Sequence, residues 1–141
     1  MTGREIFTSS PEETTAVGRQ LARELRPPAL VLLYGEVGAG KTTLVKGIVS
    51  GLGLAAEEEV TSPSFVFVHA FGDGSRLYHV DLYRAERTAE LDSLGLDDLM
   101  AENAIVVVEW AERLRLAGLT PSATLRLDIV SDEKRRIRIE G

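Results

Sequence analysis

The chain has 141 residues, 44% of them hydrophobic, and carries a formal net charge of −6. That length predicts a single domain spanning residues 1–141, with apolar content enough for a core. The lack of cysteine excludes disulfides, thiolate metal sites and a cysteine nucleophile, and the acidic balance argues against a broad direct grip on nucleic acid, which depends on Lys and Arg neutralising phosphates.

Arg4 to Thr8 reads as a short edge strand. Ser9-Ser10-Pro11-Glu12-Glu13 is a helix start, with a serine cap, a proline in the first turn and acids near the positive end. The helix is expected to run to about Leu25, burying Val17, Leu21 and Leu25, and to stop at Arg26-Pro27-Pro28. Ala29 to Tyr34 is apolar without interruption over Leu30 to Leu33, the pattern of a strand buried on both faces.

Gly35-Glu36-Val37-Gly38-Ala39-Gly40-Lys41-Thr42 follows that strand and matches G-x-x-x-x-G-K-[ST]. Leu44, Val45 and Ile48 then share a helical face, in a helix ending near Gly51 to Gly53. Strand, glycine loop and helix together are the context of a phosphate-binding loop. Its glycines let backbone N–H groups converge on phosphates, and the helix N-terminus adds partial positive charge behind them. The predicted nucleotide contacts are Glu36, Val37, Gly38, Ala39, Gly40, Lys41, Thr42 and Thr43. Lys41 is expected to reach the β- and γ-phosphates, and the Thr42 hydroxyl to hold Mg²⁺.

Ala55 to Ser64 reads as a loop ending in "TSPS", in the topological position of switch loops that sense a γ-phosphate. Thr61, Ser62 and Ser64 offer hydroxyls for Mg²⁺ or phosphate there, against the plainer reading of a polar turn. Phe65 to Phe71 and Leu77 to Asp81 read as strands around a tight turn at Gly72-Asp73-Gly74. Arg84 to Leu94 and Gly95 to Asn103 read as short helices. Ala104 to Val108 is a second fully buried strand, and Glu109 to Leu116 leaves it as a loop or short helix. Leu125 to Val130 and Arg136 to Glu140 alternate around Ser131 to Lys134, as in a closing antiparallel hairpin. The fold class is α/β: a three-layer, P-loop NTPase-like domain with a mixed, partly parallel sheet.

A nucleotide-hydrolysing loop protein usually needs an acid at the end of a neighbouring buried strand. Glu109 ends the apolar strand, and Asp81 ends a strand of mixed polarity. His79 shares a strand face with Asp81 and is read as a packed, hydrogen-bonded residue before a catalytic base. Trp110 reads as core or interface before a ring stacked beside the nucleotide. The basic stretch Lys134, Arg135, Arg136 and Arg138 reads as a solvated strand face before a nucleic-acid patch. With two histidines, a zinc site would need carboxylates to complete it, and no apolar stretch approaches the ~20 residues of a membrane span. A soluble, cytoplasmic protein is the expectation.

The blocks "GEVGAGKTT", "TSPSF", "HVDLYR" and "VEWAER", in this order and spacing, resemble the bacterial TsaE (formerly YjeE) family over about residues 5–113. The resemblance implies a small P-loop ATPase acting with the subunits TsaB and TsaD. Their complex forms N6-threonylcarbamoyladenosine at position 37 of tRNAs reading codons that begin with A, so tRNA is met through the complex. It implies ATP and Mg²⁺ as cofactors, with Gly38 to Thr43 on the phosphates, Thr42 and Glu109 as Mg²⁺ ligands, and Lys41, Asp81 and Glu109 as the catalytic set. It places the helix start from Ser10 and Pro11 to Thr14 near the adenine, together with a hairpin residue, Lys134 or Arg135. Ser64 stands where the family usually has threonine, and Ala111 where it often has proline.

Two rival readings of the loop exist. A small-molecule kinase of the P-loop class needs a second substrate pocket and an arginine-bearing lid, for which the chain offers little room beyond Arg84 and Arg87. A GTPase-like switch would carry Asn-Lys-x-Asp, which the sequence lacks.

Overall fold

The computed structural model describes residues 3–60, 68–72, 76–81, 103–111 and 120–141. The expectations for Thr61, Ser62 and Ser64, for the start of the strand at Phe65, for the Asp73-Gly74 turn, for the helices within 84–102 and for 112–116 lie outside these residues.

Among the described residues, seven strands form one mixed sheet: β1 (Arg4–Thr8), β2 (Ala29–Tyr34), β3 (Val68–Phe71), β4 (Leu77–Asp81), β5 (Ile105–Glu109), β6 (Ala123–Ile129) and β7 (Arg135–Glu140). Their order is β1-β7-β6-β2-β5-β4-β3. The middle four, β6-β2-β5-β4, are parallel, and the flanking pairs β1/β7, β6/β7 and β3/β4 are antiparallel. The closing hairpin predicted at the C-terminus therefore also extends the parallel sheet, through β6 against β2.

Helices α1 (Pro11–Ala22) and α2 (Lys41–Gly51) pack against each other. The core beside them holds Val17, Leu21, Leu44, Val45 and Ile48 with Val31, Leu33, Val107 and Leu125. The alternate strand residues Leu30, Leu32, Val80, Val106 and Val108 form a second cluster. Burial on both faces explains why β2 and β5 have no polar alternation. Each fully buried Leu, Val or Ile contributes roughly 1.5–3 kcal/mol by leaving water.

α1 is capped as its sequence requires. Ser10 Oγ accepts from Glu13 N–H at 3.1 Å, and Glu13 Oε1 accepts from Ser9 N–H at 2.9 Å. The helix ends at Ala22, short of the predicted Leu25. Arg23, Glu24 and Leu25 donate to carbonyls three residues back, so the last turn tightens before Pro27. Leu25 remains buried.

The crossing of α1 and α2 was not anticipated from the sequence. Gly18 and Gly47 meet there: a Cβ on Gly47 would lie 2.0 Å from the Thr15 carbonyl oxygen, and one on Gly18 would lie 2.3 Å from that of Leu44. Only glycine lets the two backbones approach this closely, and the approach brings the start of α1 beside the phosphate loop. Among the described residues, no helix is long and apolar enough to cross a membrane.

Candidate functional site

The site lies at the C-terminal ends of the parallel strands, where ligands sit in open α/β sheets. β2 delivers the loop, and the loop opens directly into α2. Gly38 and Gly40 take φ of 84° and 101°, values that favour glycine. Gly40 is the N-cap of α2 and supplies no side-chain cap, so the first amides of α2 face the loop without a capping oxygen.

Lys41 is buried. Its ammonium donates to the Gly35 carbonyl, lies 3.5 Å from that of Glu36, and sits 3.6 Å from the centroid of the Trp110 ring. Trp110 is thus half-buried beside the loop lysine and packed on the second core cluster, in line with the core reading. Its φ is +60°, a left-handed conformation costly for so bulky a residue. Such strain costs on the order of 1–3 kcal/mol, and a cation–π contact contributes ~0.5–2 kcal/mol. The two are of comparable size, and the Ala111 that follows is buried.

Glu109 and Asp81 are neighbours in register on β5 and β4. Both are buried, 2% and 7% exposed, so the expected contrast between a buried and a mixed-polarity strand disappears: all five residues of β4 are buried. What separates the two acids is distance from the loop, because β5 lies between β4 and β2. The Thr42 hydroxyl donates to both Glu109 oxygens, at 2.9 and 3.1 Å.

His79 is fully buried and its Nε2 lies 2.5 Å from Glu109 Oε2. A carboxylate only accepts, so Nε2 carries the proton. Nδ1 has no hydrogen-bond partner among the described residues. The packed, hydrogen-bonded reading of His79 holds, with a partner that periodicity could not supply.

The oxygen donors Thr42 Oγ1 and Glu109 Oε2 suit a hard cation. Their 2.9 Å separation matches the edge between adjacent ligands of Mg²⁺, about 2.9 Å for bonds of about 2.0–2.1 Å at right angles. Among the described residues no cluster of three or more His, Asp or Glu could hold a metal by itself. Mg²⁺ commonly takes one or two protein ligands and completes its shell with water and phosphate.

On the other side of the loop, a cavity of about 190 Å³ is lined by Ser10, Pro11, Thr14, Gly38, Gly40, Thr43, Asp132, Glu133 and Arg135. The structure thereby joins the start of α1, the loop and the C-terminal hairpin around one cleft. Thr14 falls within the helix start that the resemblance places near the base; Asp132 and Glu133 carry no local signal in the sequence. Within the basic stretch, Arg135 turns to the loop, and Arg136 and Arg138 lie on the strand face. Arg136 and Arg138 both donate to Asp128, at 3.0–3.2 Å.

Residues 8–138 match the family described as threonylcarbamoyl adenosine biosynthesis protein TsaE. The chain belongs to the TsaE family. A tRNA threonylcarbamoyladenosine biosynthesis protein TsaE from Streptomyces coelicolor is 42% identical over 134 residues, covering 89% of this chain and 88% of that protein. Its counterpart from Treponema pallidum is 32% identical over 130 residues, covering 92% and 95%. Among solved structures, the crystal structure of Bacillus subtilis YdiB superposes with a TM-score of 0.74 at 30% identity, covering 98% of this chain and 84% of that one. The resemblance carried by the four sequence blocks is therefore borne out, as is the mixed α/β, P-loop NTPase-like fold. At the departure from the TsaE pattern, Ala111 is 2% exposed and packs in the second cluster, so alanine is accommodated after Trp110.

Proposed function

We propose that this TsaE-family chain binds Mg-ATP and hydrolyses it slowly, in support of TsaB and TsaD as they form N6-threonylcarbamoyladenosine at position 37 of tRNA. Family membership supports the pathway. The observation that supports the chemistry is the contact of the Thr42 hydroxyl with Glu109, which joins the end of β5 to the phosphate loop.

Each residue then has a role. The loop of residues 38–43 cradles the phosphates, with the first amides of α2 facing them, and Lys41 turns from the Gly35 carbonyl toward them. Thr42 and Glu109 hold Mg²⁺, which when bound neutralises charge on the β- and γ-phosphate oxygens. Asp81, one strand farther out, orients the attacking water. His79 keeps the Glu109 carboxylate in one orientation. Ser10, Pro11 and the hairpin turn flank the base side. Ser62 and Ser64 are carried as phosphate-side contacts on the resemblance alone.

A P-loop protein lacking its own cationic finger hydrolyses slowly, and a group supplied by a partner accelerates it by ~10³–10⁵. Phosphate release is therefore measured alone, with TsaB or TsaD singly, and with both. The expected result is weak release alone and a marked rise with both. Full activity in isolation, unchanged by the partners, overturns the gating. Transfer of labelled γ-phosphate onto a metabolite would support the kinase reading instead.

A further inference from the structure

Arg135 opens β7 and projects back to the phosphate loop, 97 residues away in sequence. Its Nε and Nη2 both donate to the Gly38 carbonyl, at 3.3 and 3.0 Å. Its Nη1 donates to the carbonyls of Ser131, Asp132 and Lys134 at 2.8, 3.2 and 3.0 Å. All five contacts are to backbone oxygens. The planar fork of a guanidinium suits this double attachment, one edge on the loop and one on the hairpin turn.

The Gly38 carbonyl belongs to the same peptide as the Ala39 N–H, which donates to the Glu36 carbonyl at 3.0 Å. That peptide is therefore held at both ends, by Arg135 and by Glu36. Packing holds it only at the Ala39 end, where the methyl is buried in the core; a Cβ on Gly38 would meet no atom within 4 Å. Glycine at φ 84° in open space has wide backbone freedom, so hydrogen bonds decide where the neighbouring amides point.

We propose that Arg135 is a positioning residue of the phosphate loop: it pins the Gly38–Ala39 peptide, so that the loop and the C-terminal hairpin turn move as one body. This rests on the nucleotide reading above and gives the hairpin a part in phosphate binding, distinct from any contact with the base.

The test compares wild type, Arg135→Met and Arg135→Lys in binding ADP and inorganic pyrophosphate, with amide hydrogen exchange followed at Ala39 and, as a control, at Val31 and Leu33 in β2. Arg135→Met is expected to weaken ADP and pyrophosphate by the same factor, about tenfold, the size of losing a charged hydrogen-bond donor. Exchange at Ala39 should quicken while the β2 amides stay protected. Arg135→Lys restores charge without the fork, and its affinities should stay near those of Arg135→Met. Loss of ADP affinity with pyrophosphate unchanged makes Arg135 a reader of the base or ribose and overturns the proposal. So does full rescue by lysine, or unchanged exchange at Ala39. Failure of the wild type to bind either ligand overturns the nucleotide reading, and the exchange comparison still decides whether Arg135 braces the loop.

Discussion

Thr42 and Glu109, 67 residues apart, meet through a hydroxyl that donates to both carboxylate oxygens. The contact is possible because β5 lies directly beside β2 in parallel register, with Leu33 opposite Glu109. Glu109→Ala should therefore weaken Mg²⁺-dependent ATP binding more than Asp81→Ala does, by at least about tenfold. Titrating Mg²⁺ at fixed nucleotide checks this. A larger Mg²⁺ shift in Asp81→Ala reverses the two roles.

His79 should act on the same readout without touching the nucleotide. Replacing it with leucine removes the donor at Glu109 Oε2 and leaves a buried carboxylate short of one hydrogen bond, at a cost of roughly 1–3 kcal/mol in stability. Ligand-orienting partners of this kind are worth ~10–100-fold in metal affinity. Mn²⁺ binding followed by electron paramagnetic resonance, with nucleotide present, is expected to weaken accordingly. Unchanged Mn²⁺ affinity in a folded His79→Leu protein would falsify the positioning role.

Lys41→Ala should abolish productive ATP binding. It is not expected to be neutral for stability, because the side chain is buried and its ammonium engages the Gly35 carbonyl and the Trp110 ring. Lys41→Met keeps most of the stem and loses only the charge, so it should melt closer to wild type while binding ATP no better. Normal ATP hydrolysis by either variant would remove the loop from the active site.

Gly47→Ala should destabilise the fold by ~1–3 kcal/mol or more, because its methyl would meet the Thr15 carbonyl at 2.0 Å and force α1 off α2. Ser50→Ala, one turn on, serves as the control and should change stability little. Urea unfolding of both variants measures the difference. A Gly47→Ala protein as stable as wild type would mean that the two helices are not held at this distance.

The contrast between these residues shows what was legible in the sequence. The phosphate loop, β2, α2 and the acids ending β4 and β5 are local patterns, each written in fewer than about a dozen residues. The cap of α1 is equally local. The contact of His79 with Glu109, the glycine crossing of α1 and α2, and the Arg135 brace depend on which strands and helices become neighbours. Hydrophobic periodicity says that β4 and β5 are buried; it does not say that His79 Nε2 will meet Glu109. The placement of β6 against β2, which carries the hairpin turn to the loop, is likewise a property of sheet order.

Trp110 offers a test in which two substitutions exchange their usual rank. In most positions alanine is more stable than glycine by about 0.5–1 kcal/mol, because glycine has more backbone freedom to lose. At φ +60° an alanine keeps the left-handed strain and a glycine does not, a difference of roughly 1–2 kcal/mol in favour of glycine. Trp110→Gly and Trp110→Ala both lose the ring under Lys41, so their ATP affinities should fall together. Their stabilities should separate, with Trp110→Gly the more stable of the two. Thermal melts with parallel nucleotide titrations read both quantities from the same proteins. If Trp110→Ala melts higher, the backbone after Glu109 is not strained in solution and the turn is set by packing. If the two variants separate in ATP affinity instead, the conformation of the turn, and not the ring, is what positions Lys41.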